Sequence, residues 1–217
     1  MTGANTVNES AASTKGQLIV LAGPSAVGKS TVVDRLRTEV PELYFSVSMT
    51  TRAPRPGEVD GHHYYFVSVD EFQRNIDNGL MLEWAEIHGG LQLSGTPASP
   101  VQSALDDGRP VLVEVDIEGA RNVRQAMPDA QLVFLAPPDW DTLVERLTGR
   151  GTEAPEVIER RLQTAKNELR CTDEFNFVVI NDDVDHAVDA IAALLLNKPV
   201  KEVVRDDMRD TVVLNEN

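Results

Sequence analysis

Apolar positions first gather at Gln17–Ala22 (QLIVLA), a short run that breaks straight into glycine. A strand with one wet face would alternate, so an unbroken run reads as a strand buried on both faces of a parallel sheet. From Ser30 the period changes: Val32, Val33, Leu36 and Val40 fall on one helical face, and Pro41 ends the pattern. Val111–Val115 (VLVEV), Gln131–Leu135 (QLVFL) and Phe177–Ile180 (FVVI) repeat the strand signature. Helical spacing separates them, over roughly Gly119–Ala126, Asp139–Leu147, Glu156–Leu169 and Val184–Leu196. Strands alternating with helices predict an α/β fold, a mostly parallel sheet flanked by helices.

The alternation fails between residues 43 and 100, where Tyr44–Ser48 and His63–Val69 are strand-like, Val69–Asn78 is helical and turn residues crowd the remainder. Lying between the first and second core strands, this stretch predicts an inserted substrate-binding subdomain of about 43–100 in a core built from 16–42 and 101–197. Gly149–Pro155 (GRGTEAP) links two helices inside a span of about 139–160 and has the composition of a mobile lid. Residues 1–15 are small and polar and predict a disordered tail; 198–217 form a charged extension.

Composition narrows the function. At 217 residues the chain suffices for one core with a small insertion. A net charge of −15 disfavours nucleic-acid polymers and anionic membranes, leaving small phosphorylated molecules that a local basic pocket can hold. Cys171 is the only cysteine, which excludes an intrachain disulfide and a cysteine zinc site. His62, His63, His88 and His186 have no chelating spacing. The longest apolar stretch, Ala187–Leu196, is interrupted by Asp189 and falls short of the ~18 residues of a membrane span; a cytoplasmic location is expected.

The first strand runs into Gly23-Pro24-Ser25-Ala26-Val27-Gly28-Lys29-Ser30, with Thr31 next, which fits the phosphate-loop pattern G-x-x-x-x-G-K-[ST]. The match could be a chance turn, but it stands after a strand and before a helix, where backbone N–H groups and the positive helix end would converge on phosphates. Lys29 is then the bridge between the β- and γ-phosphates of ATP, and the Ser30 hydroxyl the ligand for Mg²⁺. Asp116 closes the VLVEV run, either as a solvated strand end or as an acid able to reach magnesium or a second ligand.

Ser46-Val-Ser48-Met-Thr50-Thr51-Arg52-Ala-Pro-Arg55-Pro-Gly57-Glu58-Val-Asp-Gly61-His-His-Tyr64-Tyr-Phe66 closely resembles the GMP-binding signature of guanylate kinases. The phosphate loop, Leu82–Ala85, Glu114–Gly119, Leu135–Pro138, Arg146–Glu153 and Val179–Asp182 resemble that family in the same order, from about residue 17 to 197. The resemblance implies that Glu83, Ser48 and Asp116 bind the base, with Thr96 a further base contact, and that Arg52, Arg55 and Tyr64 bind the GMP phosphate. It also implies that Arg146, Arg150 and Arg161 are lid arginines closing over the transferring phosphoryl group, and it brings Asn181 to the ATP site. The residues agree in kind: paired arginines clamp phosphate, and a carboxylate accepts from two guanine donors.

Two departures stand out. Ala26 replaces a glycine common in the family's loop, and Gly89–Thr96 (GGLQLSGT) lacks the tyrosine that usually helps bind the phosphate. The expected reaction is reversible phosphoryl transfer from MgATP to GMP, giving ADP and GDP. Two other readings compete: an inactive interaction module of the same fold, disfavoured by the intact phosphate loop, and a kinase for AMP or dTMP, disfavoured by Glu83.

Overall fold

The computed structural model describes residues 15–87, 91–149 and 155–200. A five-stranded sheet forms its centre: β1 (Leu18–Ala22), β2 (Tyr44–Phe45), β7 (Val111–Glu114), β8 (Gln131–Ala136) and β9 (Phe177–Ile180), ordered β2-β7-β1-β8-β9. Every pairing in it is parallel. The continuous apolar run of β1 has a simple cause. Leu18, Val20 and Ala22 point into one core cluster, Ile19 and Leu21 into the other.

Helices α1 (Lys29–Glu39) and α7 (Val184–Leu195) cover the second face through Val32, Val33, Leu36, Ala187, Val188 and Ile191. The first face is covered by α3 (Ala98–Asp106), α4 (Ile117–Ala126), α5 (Trp140–Thr148) and α6 (Pro155–Leu169), which bury Val101, Ala120, Leu143 and Ala165. Fully burying one such aliphatic side chain contributes about 1.5–3 kcal/mol, so each helix is held mainly by its apolar stripe.

A second sheet stands apart from the first, in the order β4-β3-β6-β5: β3 (Met49–Thr50), β4 (Tyr65–Phe66), β5 (Met81–Ile87) and β6 (Gln92–Pro97). Its β5–β6 and β3–β6 pairings are antiparallel, and β3–β4 is parallel. The helix α2 (Val69–Asp77) precedes β5 and buries Phe72, with Ser68 capping it by accepting the Glu71 N–H. Because β2 pairs with β7, Tyr44 and Phe45 belong to the parallel sheet, and the second sheet takes up the chain only from Met49.

The pattern of the sequence missed α3, β5 and β6. Pro100 lies in the first turn of α3, where proline is tolerated, although in sequence it reads as a stop. Helix α4 starts at Ile117 rather than Gly119, because Asp116 accepts the Gly119 N–H at 2.7 Å and so caps the helix two residues earlier. No helix among the described residues is long and apolar enough to cross a membrane.

Candidate active site

The loop between β1 and α1 is fixed by close approach. A Cβ on Gly23 would stand 2.3 Å from the Leu135 carbonyl oxygen, and one on Gly28, at φ 105°, 2.6 Å from Asn181 Nδ2. Neither position admits a side chain without movement. Gly28 is the N-cap of α1 but has no side chain to cap with, and the first turn holds no acidic residue. The positive helix end is therefore left for an external anion.

Asn181, at the end of β9, donates from Nδ2 to the Val27 carbonyl at 2.7 Å. Arg146 of α5 donates to the same carbonyl at 3.2 Å and to the Asn181 carbonyl at 3.2 Å. Both side chains thus brace the loop at Val27, while Arg161 of α6 donates to Ser25 Oγ at 2.8 Å. Arg150 lies outside the described residues.

Lys29 folds back on its own loop, donating to the carbonyls of Gly23 at 2.6 Å and Pro24 at 3.2 Å. Burial pushes its pKa down, and the carboxylates of Glu114, Glu168 and Asp116 pull it back up. Glu114 is itself pushed up by burial, and Lys29 opposes that shift. The sequence offers Asp116 as an acid able to reach this edge and gives Glu114 and Glu168 no role of their own. Glu114 pairs with Leu21 across β1, so the one sequence signal for it was an acid inside an otherwise apolar strand.

On the facing side, Arg52 makes a bidentate ion pair with Glu58, both bonds 2.6 Å long, and its guanidinium lies 4.8 Å from the Tyr64 ring centroid. The Arg55 N–H also donates to Glu58, at 2.7 Å. These bonds hold the Glu58 carboxyl at about 2, well below the usual range. A pKa that low keeps the carboxylate charged, and Arg52 aimed, throughout the neutral range. The Arg55 side chain stays exposed, and Ser48 is half-buried between the two sheets' first strands.

Glu83 lies on β5, not on a helix surface, directly opposite Thr96 of β6. Thr96 Oγ1 donates to Glu83 Oε1 at 2.6 Å, and both residues are buried. Burial raises the Glu83 pKa above the ordinary carboxylate range, and the Thr96 bond works against that rise. Two residue pairs further along, Ala85 faces Ser94, so Ser94 shares the Glu83–Thr96 face, whereas Leu93 faces Glu86 on the other. A tyrosine at 94 should therefore lower the KM for a monophosphate by about tenfold, roughly one hydrogen bond to a charged group, while one at 93 should not. Equal effects from Ser94→Tyr and Leu93→Tyr would contradict this register.

A cavity of about 530 Å³ brings the phosphate loop together with Ser48, Tyr64 and Asp116, while Arg52, Arg55, Glu83 and Thr96 lie outside its lining. Gly23, Ser25, Lys29 and Ser30 line it from the phosphate loop, Ser48, His63 and Tyr64 from the second sheet's side, and Glu114, Asp116 and Glu168 along the wall between. His63, which has no chelating spacing in the sequence, is exposed, yet its Nδ1 accepts the Val59 N–H at 2.9 Å and it borders this cavity. Among the described residues no three His, Cys, Asp or Glu side chains converge as a metal site of their own.

Comparison with known proteins points to one family. The sequence model of the family described as guanylate kinase matches residues 15–198. A guanylate kinase of Corynebacterium efficiens is 68% identical over 181 residues, covering 83% of this chain and 95% of that protein. One from Rhodococcus jostii is 66% identical over 185 residues, covering 85% and 89%. Among solved structures, a guanylate kinase from Anaplasma phagocytophilum superimposes with a TM-score of 0.67 at 30% identity, covering 85% of this chain and 86% of that one.

Proposed function

This chain belongs to the guanylate kinase family, and on that footing we propose that its cavity joins MgATP to GMP and passes the γ-phosphoryl group between them, giving ADP and GDP. The observation that carries this is the shared cavity: the phosphate-loop lysine and the residues around Tyr64 open on the same space. Two phosphates held there would meet with no water layer between, which is the condition for direct transfer.

The roles follow from chemistry. The loop from Gly23 to Thr31 and the bare N-terminus of α1 take the ATP phosphates. Lys29 leaves its two carbonyl acceptors for the β- and γ-phosphate oxygens, an exchange of neutral for charged partners that favours the bound state. Arg52, Arg55 and Tyr64 hold the GMP phosphate; Glu83, Thr96, Ser48 and Asp116 hold the guanine. A GMP phosphate oxygen attacks the γ-phosphorus in line as the bond to the ADP oxygen breaks. That attacking oxygen is already ionised at neutral pH, so no general base is needed. Arg146, Arg150 and Arg161 offset the charge that develops.

Magnesium fits the residues present. It typically keeps several waters and binds through one or two protein groups plus substrate phosphates, which matches the Ser30 hydroxyl with the half-buried Glu114 in the same cavity rather than a cage of acids. When bound, it neutralises phosphate charge.

A coupled assay of ADP release with GMP, AMP, dTMP and CMP tests the proposal. Turnover should be confined to GMP; equal rates with AMP would overturn it. Arg52→Ala and Arg55→Ala should each raise the KM for GMP by about 10- to 100-fold, the loss of one or two charge-assisted bonds. The KM for ATP should stay within about threefold, because neither residue faces the phosphate loop. A rise in the ATP constant instead would mean that the two nucleotide sites must be exchanged.

A further inference from the structure

Ser25 is approached twice by one helix. Arg161 of α6 donates to its hydroxyl at 2.8 Å, and its backbone N–H faces the Glu168 carboxylate, with which Ser25 lines one cavity. The two residues are seven apart, two helical turns, and so lie on one face of α6. Ala165 and Leu169, interleaved with them, are buried in the core beneath the central sheet. The C-terminal half of α6 is thereby fixed to the body of the protein, and Glu168 is the point where that fixed half meets the phosphate loop.

The second oxygen has no such use. Glu168 Oε2 is buried and accepts no hydrogen bond among the described residues. A buried carboxylate oxygen left unbonded costs free energy, so a residue tuned for stability alone would be amide or apolar here. Its charge is felt by Lys29, toward which Glu168 acts from α6 as Glu114 does from β7 and Asp116 from the cap of α4.

We propose that Glu168 is a positioning residue for phosphoryl transfer, holding the Ser25 amide so that the loop keeps its phosphate-binding shape, and orienting the Lys29 ammonium by its charge. It acts through Ser25 and Lys29, two residues that line the cavity with it. Its contact with the Ser25 amide shapes the loop that grips the donor, and its charge acts on the lysine that bridges the donor's phosphates. The proposal rests on the kinase reading given above, and binding of ADP alone provides a readout that does not depend on it.

The test compares Glu168→Ala with Glu168→Gln in the full chain, reading kcat, both KM values, ADP affinity by calorimetry and the thermal midpoint. Alanine removes both the acceptor and the charge: ADP should bind about tenfold more weakly, kcat should fall about 10²-fold, and the KM for GMP should move by no more than about threefold. The carboxamide oxygen of glutamine can still accept the Ser25 N–H. ADP affinity should therefore recover to within about threefold of wild type, while kcat stays about tenfold down for want of the charge. The assignment is overturned if glutamine binds ADP as weakly as alanine, or if alanine leaves kcat and ADP affinity within about twofold. It is equally overturned if both variants lower only the thermal midpoint, with kcat per folded molecule unchanged. A wild-type protein inactive on GMP would sink the kinase reading and leave the ADP comparison standing.

Discussion

Replacing Lys29 with alanine should lower kcat by about 10³-fold or more, equivalent to about 4 kcal/mol of transition-state stabilisation. The ammonium is half-buried and is drawn toward Glu114, Glu168 and Asp116, so its loss leaves those three carboxylates beside the loop without their cation. Phosphoryl transfer adds negative charge to that same pocket, and nothing in the loop can substitute. Because this lysine is half-buried rather than a surface charge, the fold needs its own control. Lys29→Met keeps the apolar stem and loses only the charge; it should be as inactive as alanine with a thermal midpoint closer to wild type. Turnover within about tenfold of wild type in either variant would show that the γ-phosphate lies elsewhere.

The second large effect is on choice of base. Guanine offers donors at N1 and the 2-amino group, whereas adenine presents a lone pair at N1. Glu83, buried and already accepting from Thr96 at 2.6 Å, would bond guanine twice and face adenine unpaired. Sites that strand a buried polar group can discriminate by roughly 10⁴ to 10⁵, so kcat/KM for GMP should exceed that for AMP by at least about 10³. Glu83→Ala should lose most of that ratio, and unchanged discrimination would remove Glu83 from the base site. The pH dependence has a definite sign. Burial raises the Glu83 pKa, so in free enzyme it takes up a proton at a higher pH than an exposed carboxyl would. Protonation turns one acceptor of the carboxyl into a donor that meets the guanine N–H groups, so the KM for GMP should climb as pH falls through that raised value.

The parallel core was legible because its strands are buried on both faces, which writes an unbroken apolar run such as Leu18–Ala22 into the chain. The phosphate loop was legible because close approach demands glycine at 23 and 28. The second sheet was not. β5 carries Glu83, Trp84 and Glu86, and β6 ends in Gly95, Thr96 and Pro97, a turn-like composition whose extended form depends on cross-strand pairing. The Glu83–Thr96 bond lives on that register, and no local pattern encodes it. Glu58 carries no signal of its own in the sequence, yet its bidentate bonds hold Arg52 in place. Glu114 and Glu168 were missed for a related reason: their meaning comes from burial beside Lys29, a contact between three distant segments.

Ala26 holds a left-handed backbone at φ 66°, a conformation that costs an L-residue roughly 1–2 kcal/mol and glycine almost nothing. A glycine there would leave the empty loop free to wander, and capturing a nucleotide would then mean freezing it at the moment of binding. With alanine the bend is imposed when the chain folds. The strain is a standing charge on the apo protein, carried whether or not ATP is present, and in return the loop meets its ligand with less disorder left to surrender.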